Sequence, residues 1–154
     1  GWGRIVNISS IYGILTALMV GGYCASRYAL EALSIALRME LRNSGISVSL
    51  VEPGPILSRF RENAYESLRK KISKENYFYS EYKKTLKRKL GKTQRNELFT
   101  LRPEHVAEKV VHALTSDRPK RRYLVTYLAQ AGYIMSRVLP DFAIDYFMKK
   151  SVNF

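Results

Sequence analysis

The chain has 154 residues, 46% of them apolar, which is enough for one packed domain and too much for a disordered tail. Its single cysteine, Cys24, excludes an internal disulfide and a cysteine-based zinc site, and fits a reducing, cytoplasmic setting. The net charge of +13 is regional, since 19 of the 26 Lys and Arg residues but 8 of the 13 acids fall within 59–122, leaving +11 there.

Gly1-Trp2-Gly3 opens the chain without an initiator Met and leads at once into 4–8, a β-branched run expected to be a core strand. The chain is therefore expected to be a fragment whose true beginning lies upstream, and nothing in it resembles a secretory leader. Residues 24–42 carry Leu30, Leu33, Leu37 and Leu41 on one stripe and Ala25, Ala29, Ala32 and Ala36 on another, both at helical spacing. Asn43-Ser44-Gly45 is a suitable helix stop, and 46–51 follows as a second core strand. Strand, helix and strand make a βαβ unit, which is nearly always a crossover within a parallel sheet, so the fold class is α/β. The small Ala stripe is expected to lie on the sheet. The Leu stripe then needs another apolar partner, either a neighbouring helix or a second subunit, and a subunit interface, giving a homo-oligomer through helix 24–42, is the favoured expectation.

Residues 56–92 are polar and rich in Lys, Arg and Tyr, with no clean period beyond two turns, and read as a helical excursion or lid within a basic 59–100 segment. Pro103-Glu104 starts a helix to 113, because Pro suits the first turn and Glu the positive helix end. A third strand is expected at 123–126. The remaining 127–154 reads as an aromatic helical extension broken at Pro140. The longest apolar stretches, 11–23 and 123–135, fall short of the roughly 18–20 residues that span a bilayer, so no transmembrane helix is expected.

Tyr23 and Arg27, four apart, project from one face of the long helix, and Ser10 closes the strand before it. Ligands of α/β sheets sit at the carboxyl ends of strands, where Ser10 and the turn Pro53-Gly54-Pro55 both fall. Taken singly, each has a plainer reading: Ser10 as a cap, Tyr23 and Arg27 as an exposed helix face, Pro53-Gly54-Pro55 as a turn. Their joint spacing is what sets them apart.

Asn7-Ile8-Ser9-Ser10, Tyr23-Cys24-Ala25-Ser26-Arg27 and Pro53-Gly54-Pro55-Ile56-Leu57-Ser58 resemble the short-chain dehydrogenase/reductase pattern of Ser, Tyr-x-x-x-Lys and Pro-Gly. The likeness continues through 102–107 and 118–123, and points to the retinol- and hydroxysteroid-dehydrogenase-like branch. It implies a Rossmann-type parallel sheet with flanking helices, incomplete here because the N-terminal half is missing. That half would hold the Gly-rich phosphate loop, the residue that selects NAD or NADP, and the catalytic Asn. It further implies an NAD(P)-dependent oxidoreductase that interconverts a small lipophilic secondary alcohol and its ketone. Tyr23 would pass the proton, Ser10 would hold the substrate oxygen, and Arg27 would stand where the family has Lys. A phenol, with an ordinary pKa of about 10, is a poor base at neutral pH, so this chemistry needs a cation beside it. Tyr23, Arg27, Pro53, Gly54, the Ile56 backbone and Ser58 would meet the cofactor. Arginine keeps the charge but effectively never gives up a proton, so impaired turnover is expected. The competing reading is a catalytically weak relative that binds nucleotide or lipid as a sensor, scaffold or peripheral membrane partner.

Other candidates read more plainly. Cys24 fits a small buried residue, and His105 and His112 fit surface or capping positions, with no metal expected. Lys83, Lys84, Lys87, Arg88 and Lys89, near Tyr77, Phe78, Tyr79 and Tyr82, form a solvated lid or a peripheral membrane contact. Nucleic acid is the least favoured partner.

Overall fold

In the computed structural model, residues 2–84 and 99–152 are described. Three parallel strands, β1 (Gly3–Ile8), β2 (Ile46–Glu52) and β3 (Arg122–Leu124), pair in the order β1-β2-β3. Interleaved with them in chain order are the helices α1 (Gly21–Glu40), α2 (Phe60–Lys71), α3 (Pro103–Thr115), α4 (Tyr127–Val138) and α5 (Asp141–Val152), and residues 79–84 are helical as well. Lys87, Arg88 and Lys89 of the basic stretch lie outside the described residues.

The register places Val6 beside Ser49 and Asn7 beside Leu50, while Leu50 and Val51 meet Arg122 and Tyr123. Alternation along the strands then gives the sheet two different faces. On one, Val51 and Tyr123 join Val125 and Ala113 of α3 in the apolar core, with Val6, Val106, Val110, Ile56 and Leu101 packed around them. The other face carries Asn7, Leu50, Glu52 and Arg122 toward α1, with Asn7 Nδ2 donating to Ser34 Oγ at 2.8 Å. Helices thus cover both faces of a parallel sheet, the architecture expected of the sequence.

Three local expectations need correction. Helix α1 starts at Gly21 rather than residue 24, just after Met19 turns the chain with φ 65°, and ends at Glu40 ahead of a turn closed by Gly45 at φ 78°. The Ala stripe does not lie on the sheet: Ala25, Ala29 and Ala32 are exposed, and Cys24, Glu31 and Ser34 are the buried residues. The sheet face opposite presents polar groups, Asn7, Glu52 and Arg122, so the helix turns its own polar side chains inward to pair with them. The third strand stops at Leu124, because Thr126 is used as the α4 N-cap, its Oγ1 accepting from Ala129 N at 3.0 Å. Pro140 separates α4 from α5.

Candidate active site

The loops after β1 and β2 are stitched together at the carboxyl ends of the strands. Ser9 N donates to Val51 O at 2.8 Å, and Ile11 N donates to Pro53 O at 3.0 Å. Ser10 sits in this seam, 8% exposed, and its Oγ accepts from Tyr12 N at 3.2 Å. With one acceptor site engaged by that amide, the hydroxyl proton is left to donate to a ligand oxygen.

Tyr12 carries the connection onward, since its ring stands edge-on to that of Tyr23 at 6.2 Å between centroids. Tyr23 also packs against Phe60 at the start of α2, with 5.3 Å between ring centroids. The Arg27 Cζ lies 5.2 Å from the Tyr23 ring centroid, and Arg27 Nη1 donates to Ile8 O at 3.4 Å. A cation therefore stands beside the phenol, as the i to i+4 spacing implied, at the carboxyl end of β1. Ser26 Oγ donates to Tyr23 O at 2.7 Å and accepts from Arg27 Nε at 3.4 Å, fixing one edge of the guanidinium.

The Pro-Gly turn divides its labour. Pro53 supplies the carbonyl that anchors the first loop, whereas Gly54 serves packing: a Cβ there would fall 2.2 Å from Thr126 Oγ1. Gly54→Ala is therefore expected to cost about 1–3 kcal/mol in a denaturant titration of the full-length protein, because the α4 cap must shift. An unchanged midpoint would contradict this role. Ile56 forms a parallel bridge with Leu101 through the flanking groups, Leu57 N to Leu101 O at 2.9 Å and Leu101 N to Pro55 O at 3.2 Å. In that pattern the amide and carbonyl of Ile56 itself point away from Leu101. Ser58 is exposed before α2, its Oγ accepting from Phe60 N at 3.4 Å. The six cofactor candidates thus offer a cation, a phenol, a backbone amide and a hydroxyl, donors of the kind a ribose and a carboxamide need.

Cys24 and the two histidines take plain positions. Cys24 is buried and free. His105 Nδ1 lies 3.3 Å from Arg102 O and His112 Nδ1 lies 2.9 Å from the Tyr123 hydroxyl. Among the described residues there is no cluster of His, Cys, Asp and Glu able to hold a metal. Nor is any described helix long and apolar enough to cross a membrane.

The sequence reading passed over Tyr12 and Phe60, which pack against the Tyr23 ring, and over Glu31, Glu52 and Arg122. Arg122 Nη1 donates to Glu31 Oε2 at 2.7 Å and also to Glu52 Oε1. A signal for two of these was present: Glu52 is the single charged residue of its strand, and Glu31 stands among the apolar stripes of a helix.

A parallel sheet clad on both faces, with its polar side chains gathered at the strand ends, defines a Rossmann-type α/β domain. The family described as short chain dehydrogenase matches residues 1–69. The Escherichia coli (strain K12) protein "Uncharacterized oxidoreductase YbbO" is 44% identical over 94% of this chain and 48% of its own length. Human "17-beta-hydroxysteroid dehydrogenase type 6" is 32% identical over 97% of this chain and 48% of its length. A short chain dehydrogenase/reductase from Burkholderia phymatum, solved in complex with NAD, superimposes with a TM-score of 0.65 at 22% identity, covering 88% of this chain and 47% of that one. The chain belongs to the short-chain dehydrogenase/reductase family. It spans about half the length of the curated relatives it matches.

Proposed function

We propose that the full-length protein is an NAD- or NADP-dependent oxidoreductase that interconverts a lipophilic secondary alcohol and its ketone. The observation that carries this reading is the convergence of Ser10, Tyr23 and Arg27 at the carboxyl ends of β1 and β2. Nicotinamide would supply or accept the hydride. Tyr23 exchanges a proton with the substrate oxygen, Ser10 donates a hydrogen bond to that oxygen and orients it, and Arg27 provides a positive charge beside the Tyr23 ring. Arg27 and the Tyr23 hydroxyl would hold the ribose of the bound cofactor, and the Ile56 backbone and Ser58 would hold its carboxamide and phosphates.

A lipophilic substrate is supported by the hydroxysteroid dehydrogenase among the relatives and by the aromatic side chains of α4 and α5. Phe60, at the head of α2 and against Tyr23, supports the lid reading of the 59–100 segment. In this reading 1–154 is the C-terminal part of one dinucleotide-binding domain, with 127–154 as its aromatic extension. Leu33, 68% exposed, and the outward Ala25, Ala29 and Ala32 support a homo-oligomer through α1. Oxidation of NADH or NADPH that depends on added lipophilic ketone tests the assignment in the full-length protein. Ketone-independent traces across a broad panel, for the wild type and for Arg27→Lys alike, would refute it.

One observation favours a second reading, a weak enzyme kept for binding. Arg27 already spends donors on Ile8 O and Ser26 Oγ, and its fork cannot relay a proton. Such a protein could work at a membrane surface, where Phe142, Tyr146 and Phe147 are exposed and Lys149 and Lys150 close the last turn of α5. Cosedimentation of the full-length protein with anionic phospholipid vesicles at low salt, lost at high salt, is the expected result. No cosedimentation at low salt would remove membrane contact.

A further inference from the structure

Beneath the candidate site, three charged side chains from three elements meet away from water. Glu52 is 0% exposed and Glu31 5% exposed, and a single nitrogen of Arg122 donates to both. The remaining oxygens, Glu31 Oε1 and Glu52 Oε2, are buried without a hydrogen-bond partner among the described residues. Two carboxylates against one guanidinium would leave a buried net charge of one electron. Burying such a charge is costly, and a group so placed takes up a proton instead.

We infer that Glu52 and Glu31 share a proton, with Glu52 donating to Glu31, and that this hydrogen bond, clamped by Arg122, positions the helix bearing Tyr23 and Arg27. Glu31 Oε2 and Glu52 Oε1 accept from the same Arg122 Nη1, which draws the two carboxyls together. Burial first, and then the charge of Glu31, push the Glu52 carboxyl up to about 7 against the opposing pull of Arg122. The two carboxylates hold the Arg122 guanidinium above its ordinary value although burial works the other way. Other charged and titratable groups around the cluster leave the count unchanged. On α4, Tyr133 lies under the Arg122 guanidinium at 5.7 Å, and its ring is shared with Arg137 at 5.3 Å. On α1, Arg27 is committed to Ile8 O and the Tyr23 ring, and on β1, Arg4 faces Ser47 and Ser116 on the opposite side of the sheet.

The clamp reaches the site by short paths. Glu31 lies one turn beyond Arg27 and two beyond Tyr23 on the same helix face, and Glu52 directly precedes Pro53-Gly54-Pro55. Gly13 ties in the Ser10 loop, for a Cβ there would lie 2.8 Å from both Glu31 Cγ and Ser9 Oγ. Loss of the proton puts two like charges together in a dry site and forces these segments apart. The positioning role rests on the oxidoreductase reading; the shared proton does not.

The test compares wild type, Glu52→Gln and Glu31→Gln as full-length proteins. Gln at 52 imitates the protonated carboxyl at every pH. The folded-state pKa is raised, so its contribution to stability is present below the ordinary carboxylate value and is lost as pH rises through about 7. Between pH 5 and pH 8 the melting temperature of Glu52→Gln should therefore gain about 5 °C relative to wild type. Glu31→Gln, which leaves one carboxylate to one guanidinium, should lose the same pH dependence. The ratio of kcat for Glu52→Gln to kcat for wild type should rise several-fold from pH 6 to pH 8, approaching about tenfold if only the protonated clamp supports turnover. Parallel melting curves for wild type and both variants across this range overturn the shared proton. A kcat ratio that stays flat while the melting difference changes overturns the positioning role. The melting comparison needs no turnover, so it decides the proton even where the oxidoreductase reading fails.

Discussion

Tyr23→Phe in the full-length protein is expected to lower kcat by about 10²–10⁴-fold, the range for loss of a positioned general acid–base, while cofactor affinity changes by no more than several-fold. The substitution removes one oxygen and little else. The ring keeps its edge contact with Tyr12, its packing on Phe60 and its cation partner Arg27, so the helix start is expected to stay in place. Steady-state kcat together with NADPH fluorescence titration measures both quantities. Equal losses in kcat and in affinity would mean that Tyr23 binds the cofactor rather than moving the proton, and unchanged kcat would remove it from the chemistry.

Arg27→Lys is expected to raise turnover by on the order of tenfold, since lysine supplies the same charge on a compact, rotatable ammonium that can relay a proton. The present geometry shows what the exchange would release. The guanidinium lies 5.2 Å from the Tyr23 ring centroid and donates to Ile8 O and Ser26 Oγ, so its donors are divided before any ligand arrives. Lysine would keep the cation near the ring without the rigid fork. Measured kcat that is unchanged or lower in Arg27→Lys would mean the site has adapted to arginine, and the impaired-turnover expectation would fall.

The parts of the fold legible in the sequence are those fixed by periodicity and turn chemistry. β-Branched runs at 4–8 and 46–51 and the Pro-Glu start at 103 give β1, β2 and α3 nearly to the residue, because each signal lies within the element itself. The orientation of α1 was not legible in the same way. Apolar stripes are taken to face inward, yet the sheet presents Asn7, Glu52 and Arg122 to this helix, and buried polar groups demand polar partners. Glu31 and Ser34 answer that demand from positions local pattern cannot link to residues 52 and 122. Tyr23 and Arg27 were visible as a pair through their spacing on one helix. Phe60 was not, because its contact with Tyr23 spans 37 positions and depends on where the chain returns after β2.

Hydride transfer itself is the most direct measurement. The full-length protein, given 4-deuterated NADH or NADPH and a lipophilic ketone, is expected to place deuterium on the new carbinol carbon, with the label nearly lost in Tyr23→Phe. Product that carries no deuterium from either face of either labelled cofactor, or labelling that survives undiminished in Tyr23→Phe, would contradict the assignment of Tyr23-assisted hydride transfer to this site.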